Sequence, residues 1–245
     1  MARGATTRKR FYDATGGQYE AGRYGDPHMD AYRALRDETL LGILTSALQG
    51  RRARLLEVGC GTGLSLQFLA RTVSSLSLFG MDASETMLRQ AAQKLPGAKT
   101  PRLALGDALR LPFAAGQFDA VLATRFIHQF RHDVKKQLWN EFRRVARRDG
   151  ILIVEFYARP YHWMRYYTPA RKGRSRHAYF LHYPSSAEVR EIVGGPFEIH
   201  PLRLAGARAI TRLIGAEAMR GMTRNLGTLG RGMLLDEYFV VARNA

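Results

Sequence analysis

A single cysteine, Cys60, in 245 residues removes an internal disulfide and a cysteine-rich zinc site from consideration, and no metal site is expected. No uninterrupted apolar run approaches the ~18 residues that span a bilayer. The first ten residues are basic but run into Phe11-Tyr12-Asp13 with no apolar stretch between, which is not the pattern of a secretory signal. There is no internal repeat and no low-complexity tract. Acidic residues are scarce: 21 Asp and Glu stand against 38 Lys and Arg, for a net charge of +17 and an isoelectric point near 10.6. These absences point to a cytoplasmic address by default. The charge points to an anionic partner, whether nucleic acid, an acidic membrane face or a phosphorylated substrate. Its other explanation is an arginine-rich composition spread over solvated faces. What is present is ordinary: 46% apolar residues, in a length that suits one domain over 1–245.

Residues 1–26 are polar and aromatic and suggest an arm or a short helix, leading into a helix over Pro27–Gln49 whose Leu41, Leu44 and Leu48 recur at helical spacing beside Leu40. An alternation then begins. Strands are expected at Arg54–Val58, Leu76–Met81, Arg102–Gly106, Phe118–Ala123 and Gly150–Tyr157, and two more at Phe197–Leu204 and Leu235–Ala242. Helices are expected at Leu64–Val73, after Ser84 through Gln93, and over Val134–Ala146 behind an Asp133 cap. A short one should open on the capping box of Ser185 and Glu188 and end at Gly194-Gly195. Strands alternating with such helices argue for an α/β fold with a mostly parallel sheet covered on both faces. Ten of the seventeen net charges fall in 158–184 and 205–232, segments expected to form a basic, aromatic cap over a core at 54–157.

The chemistry starts at Glu57-Val58-Gly59-Cys60-Gly61-Thr62-Gly63. A glycine turn at the carboxyl end of the first parallel strand lies where open α/β sheets bind ligands. A dinucleotide fingerprint would need Gly or Ala at the position of Leu64. Asp82 ends the second strand, placed to accept hydrogen bonds from two ribose hydroxyls. The ordered set E-V-G-C-G-T-G, G-M-D-A-S, G-D-A-L-R-L-P-F and F-D-A-V-L-A resembles the class I S-adenosylmethionine-dependent methyltransferases of the type 11 kind, over roughly residues 54–157. The resemblance implies a Rossmann-like sheet of seven strands and S-adenosylmethionine as cofactor. It implies Gly59, Gly61 and Gly63 at the methionine moiety and sugar, Asp82 on the ribose, Asp107 at the adenine amino group and the Ala108 N–H at the ring. Glu57 would support the loop and, through water, the amino group; Thr124 is counted with these contacts. An N-terminal tyrosine closing over the cofactor would come from Tyr12, Tyr19 or Tyr24, with Tyr19 preferred.

Methyl transfer from a sulfonium requires alignment above all, and a base only where the acceptor must lose a proton. His128, just after the fourth strand, is the candidate base; a helix-face histidine with a structural hydrogen bond explains it equally. Ala123-Thr124-Arg125-Phe126 lacks the Asn/Asp-Pro-Pro-aromatic motif of nucleobase amino methylation, and Cys60 leaves no second cysteine for cytosine C5 chemistry. Tyr161, Trp163, Met164, Tyr166 and Tyr167 around Arg165 suit an interfacial surface, and packing against the core edge explains them equally. Gly63-Leu64-Ser65-Leu66 is weakly similar to bacterial phospholipid N-methyltransferases. The expected acceptor is therefore small or lipid-like and anionic, with peripheral contact to an anionic membrane. RNA methylation and a non-catalytic S-adenosylmethionine-binding protein are the alternatives, and the oligomeric state is left open.

Overall fold

The computed structural model describes residues 13, 27–95, 101–157, 183–204, 215, 217–218, 221–223 and 235–245. Seven strands join one sheet: β1 (Ala53–Val58), β2 (Leu76–Asp82), β3 (Arg102–Leu105), β4 (Phe118–Ala123), β5 (Ala146–Tyr157), β6 (Glu198–Leu204) and β7 (Leu235–Arg243). Their order is β3-β2-β1-β4-β5-β7-β6. The first five pair in parallel, and β7 runs antiparallel to both of its neighbours. The helices are α1 (Pro27–Leu48), α2 (Leu64–Thr72), α3 (Glu85–Lys94), α4 (His132–Val145) and α5 (Ser186–Val193). Seven strands, mostly parallel and helix-covered, match the expected α/β, Rossmann-like architecture. The arginine-rich segments expected to cap it lie almost wholly outside the described residues, as do Tyr12, Tyr19 and Tyr24.

Side chains alternate across a strand, and here both faces are apolar. Leu55, Ala120, Leu122, Ile151, Ile153 and Phe239 pack with Leu40 and Leu44 of α1 and with Leu66 and Leu69 of α2. Their neighbours Leu56, Val121, Ala123, Leu152, Val154 and Val240 pack with Leu138, Trp139 and Phe142 of α4 and with Val189 and Ile192 of α5. A sheet buried on both sides requires continuous apolar strands, which is why the central strands show no polar alternation. Gly80, in mid-strand, lets α2 sit close: a Cβ there would stand 2.6 Å from Leu66 Cδ1 and 3.0 Å from Cys60 Sγ.

Local sequence sets the element ends. Ser84 caps α3, its hydroxyl accepting from the Met87 N–H, and the Ser185–Glu188 capping box opens α5, which closes on Gly194 in the left-handed region. Two local expectations are corrected. The N-cap of α4 is Arg131, with no side-chain cap bond. Asp133 sits inside the first turn, where its charge still favours the helix dipole. On α1 the buried stripe runs through Leu40, Ile43, Leu44, Ala47 and Leu48, with Leu41 only half-buried.

Candidate functional site

Strand order reverses direction in the sequence on either side of β1, between β2 and β4, and the crevice of an open α/β sheet forms at such a point. A cavity lies there, lined by Arg36 of α1, the glycine loop, Asp82–Ser84, Gly106–Ala108 and Thr124–Phe126 with Gln129 and Phe130. The loop's shape comes from three positive φ angles, +71° at Gly59, +54° at Gly61 and +77° at Gly63. At Gly59 a Cβ would run into the Phe126 ring, and at Gly63 it would stand 2.9 Å from Ala91 Cβ. Gly61 is open on the cavity side and donates its N–H to Asp82 Oδ2 at 2.9 Å. Gly63 is not in the lining; it is the left-handed residue that starts α2.

Glu57 is 2% exposed, at the end of β1. The Thr124 hydroxyl donates to its Oε1 at 2.8 Å, and the Ser65 hydroxyl lies 3.3 Å from that of Thr124. Its other oxygen, Oε2, is buried with no hydrogen-bond partner. Burial pushes the carboxyl up to about 7, against the opposing pull of Thr124 and Arg36. Asp82 is held by the Gly61 N–H and by the Ser84 N–H at 2.9 Å. Burial raises its carboxyl as well, against those backbone bonds. Each Asp82 oxygen accepts one of these bonds and keeps a second lone pair for a ligand. Asp107 is exposed, its Oδ1 accepting from the Leu109 N–H at 3.0 Å, and the Ala108 backbone lines the same wall. Asp13 accepts from the hydroxyl of Ser84, a lining residue, at 2.5 Å.

Of the sequence candidates, Glu57, Gly59, Gly61, Asp82, Asp107, Ala108 and Thr124 thus come together on one cavity. His128 does not join them. It lies in a short 3₁₀ turn (Ile127–Gln129), 7% exposed, its ring 4.5 Å from that of Tyr157. Three features escaped sequence reasoning. Arg36 lines the cavity from α1, 2% exposed. Phe126 packs on Gly59 and lies 5.0 Å from Phe130, ring to ring. Beside the cavity, Glu155 of β5 accepts from the Tyr32 hydroxyl at 2.9 Å and from the Arg125 N–H at 3.2 Å. That second bond holds Arg125 at φ 49°. Burial and the neighbouring Glu237 raise the Glu155 carboxyl. Among the described residues no group of His, Cys, Asp and Glu is placed to hold a metal ion, and no helix is long and apolar enough to cross a membrane.

Residues 56–154 match a family described as a methyltransferase domain. The chain is 34% identical over 100 residues to a malonyl-[acyl-carrier protein] O-methyltransferase of Legionella pneumophila, covering 41% of this chain and 34% of that protein. It is 32% identical over 101 residues to a demethylmenaquinone methyltransferase of Thermotoga maritima, covering 41% and 42%. The chain thus spans well under half the length of these curated relatives. Among solved structures, magnesium protoporphyrin IX methyltransferase from Synechocystis with bound SAH superposes with a TM-score of 0.66 at 18% identity, covering 98% of this chain and 100% of that one. The match of residues 56–154 to a methyltransferase domain and the shared fold agree with the sequence resemblance.

Proposed function

We propose that the protein is an enzyme that takes a methyl group from S-adenosylmethionine and moves it to a small or lipid-like acceptor bearing negative charge. One observation carries the donor half: an unpartnered, buried carboxylate oxygen, Glu57 Oε2, on a cavity whose other wall holds Asp82. An orphaned buried acceptor costs about 1–3 kcal/mol, a cost that a ligand ammonium would remove. The residues present fit the cofactor. Glu57, oriented by Thr124, would take the amino group; Gly59 and Gly61 leave room for the tail; Asp82 would take the ribose hydroxyls; Asp107 and the Ala108 N–H would meet the adenine. Tyr19 is retained as the residue closing from the arm.

Bound S-adenosylmethionine supplies a methyl group already activated by a sulfonium. The protein's part is to hold the acceptor in line and exclude water, effects that together reach about 7–11 kcal/mol in favourable systems. Thr124, Arg125 and Phe126, at the carboxyl end of β4, are the residues placed to do this. The guanidinium of Arg125 supports an anionic acceptor. His128, packed on Tyr157 rather than on the cavity, would serve as base only through a rearrangement of its turn.

The acceptor half rests on that arginine, on the net charge of +17, and on relatives named for malonyl-[acyl-carrier protein], demethylmenaquinone and phthiotriol dimycocerosate substrates. The same charge supports peripheral contact with an anionic membrane, and the cytoplasmic address is kept from the sequence reading. Radiolabelled methyl transfer into fractionated cell extract tests the reading, with lipid, small-molecule, protein and RNA pools counted separately. Label in the lipid or small-molecule pool supports it, label in RNA replaces the acceptor, and donor binding without label in any pool leaves a binding protein.

A further inference from the structure

Buried carboxylates grip the turn after β4 from both sides. In the sheet β4 lies between β1 and β5, and each neighbour carries a glutamate near its carboxyl end that holds one residue of the turn. Glu57 of β1 accepts from the Thr124 hydroxyl at 2.8 Å. Glu155 of β5, fully buried, accepts from the Arg125 N–H through Oε2 at 3.2 Å and from the Tyr32 hydroxyl through Oε1 at 2.9 Å. Arg125 stands at φ 49°, in the left-handed region that residues other than glycine rarely adopt. Such a conformation persists where the surroundings impose it, and the Glu155 contact is placed to do so. The turn then divides its side chains. Thr124 faces Glu57 and Phe126 lies against Gly59, whereas the Arg125 guanidinium between them lies over the Tyr32 ring, 5.8 Å from its centroid. Arg125 is half-buried and still lines the cavity.

We propose that Glu155 is a positioning residue for the methyl acceptor. By holding the Arg125 backbone in its left-handed turn and the Tyr32 ring under the guanidinium, it aims that guanidinium at a carboxylate or phosphate of the acceptor. Stacking on an aromatic face leaves the edge of a guanidinium, where its N–H groups lie, turned toward two oxygens at once. Glu155 acts through its two oxygens together, one on the backbone of Arg125 and one on the ring that supports its side chain. The inference rests on the acceptor reading above and deepens it, from net charge to one oxyanion contact and the residue that sets it.

The test is NMR titration of the full chain, saturated with S-adenosylhomocysteine at pH 8.5, with hexanol, hexanoate and hexyl phosphate. The wild type should bind one or both anionic probes at least about 10-fold more tightly than hexanol, the size of a charge-assisted hydrogen-bonded contact. Arg125→Met should bring all three within about 3-fold. Glu155→Leu should do the same, with affinity for S-adenosylhomocysteine kept within about 3-fold. Glu155→Gln should retain the preference, because its amide oxygen still accepts from the Arg125 N–H and its amide nitrogen donates to the Tyr32 oxygen. Charge alone predicts otherwise: both Glu155 variants remove a negative charge, so both would tighten anion binding alike. Equal behaviour of the Leu and Gln variants, in either direction, overturns the inference. A preference lost in Arg125→Met but kept in Glu155→Leu leaves the acceptor reading standing and removes Glu155 from it. No anion preference in the wild type overturns both. The wild-type ratio needs no variant, and Glu155→Met is the second apolar substitution should Glu155→Leu fail to fold.

Discussion

Glu57 makes a quantitative prediction because its carboxyl is asked to do opposite things in the empty and loaded protein. Empty, it is buried at the end of β1 and pushed up to about 7. With an ammonium against Oε2, it should return toward the ordinary glutamate value near 4.3–4.5. Between pH 8.5 and pH 5.5 the empty protein then takes up a proton that the complex does not hold. The affinity for S-adenosylhomocysteine, which has the amine and no sulfonium, should fall about 30-fold over that interval, or about 2 kcal/mol at 1.36 kcal/mol per pKa unit. Calorimetry near pH 6 in buffers of different ionisation enthalpy should show release of nearly one proton per ligand, vanishing at pH 8.5. In Glu57→Gln both signals should disappear, with binding weak at every pH.

Folding should respond in the opposite sense. A carboxyl whose folded pKa lies above its unfolded value contributes most below the unfolded pKa, and that contribution is lost as pH rises through the folded pKa. Relative to Glu57→Gln, the ligand-free wild type should lose about 2 kcal/mol of stability between pH 5.5 and 8.5, read as the difference in urea unfolding free energies. The ligand restores what ionisation costs. A dissociation constant that is flat with pH in both proteins, with both folded throughout, would refute the assignment of Glu57 to the amino group. Loss of affinity on acidification in the Gln variant as well would move the titration to another group, with Asp82, itself raised by burial, the first to test.

Further substitutions separate binding from architecture. Asp82→Ala removes the acceptor for the Gly61 and Ser84 N–H groups as well as the proposed ribose contact. Affinity for S-adenosylhomocysteine should fall by about 100-fold or more, the loss of two hydrogen bonds to a charged group, as measured by calorimetry. Gly63→Ala forces a Cβ onto Ala91 at φ +77° and should cost about 2–3 kcal/mol in denaturant unfolding. His128→Ala, a ring packed on Tyr157, should destabilise by about 2 kcal/mol while leaving S-adenosylhomocysteine affinity unchanged; lost turnover at retained stability would establish it as the base. Lys135 is buried, donates to the Phe130 carbonyl at 2.7 Å, and is lowered by burial to about 7. Its folded pKa lies below its unfolded value, so the wild type should gain about 2–3 kcal/mol relative to Lys135→Met from pH 6 to pH 9, read by urea unfolding at the two pH values.

The parts of the site legible in the sequence are those fixed by backbone demands local to a few residues. Gly59, Gly61 and Gly63 announce a turn with positive φ, and Asp82 and Asp107 follow short apolar strands whose ends are easy to place. The strand and helix spans were legible for the same reason, since a sheet covered on both faces leaves continuous apolar runs. The parts that escaped depend on partners far away in the chain. Glu155 stands inside the apolar strand Ile151–Tyr157, so its charge was visible. Its role was not, because the hydroxyl it binds belongs to Tyr32, 123 residues earlier. Arg36 carries no signal in the sequence, and only the docking of α1 buries it. Phe126 is visible as a residue following the fourth strand, but its packing on Gly59 is not, because the glycine loop lies some sixty residues earlier. The contacts proposed for the donor lie in short local motifs, whereas Tyr32, Glu155 and Arg125 are brought together from α1, β5 and the loop after β4. The acceptor should therefore be sought by varying Arg125 and the residues packed on it, Tyr32 and Glu155. Substitutions in the glycine loop will report on the donor alone.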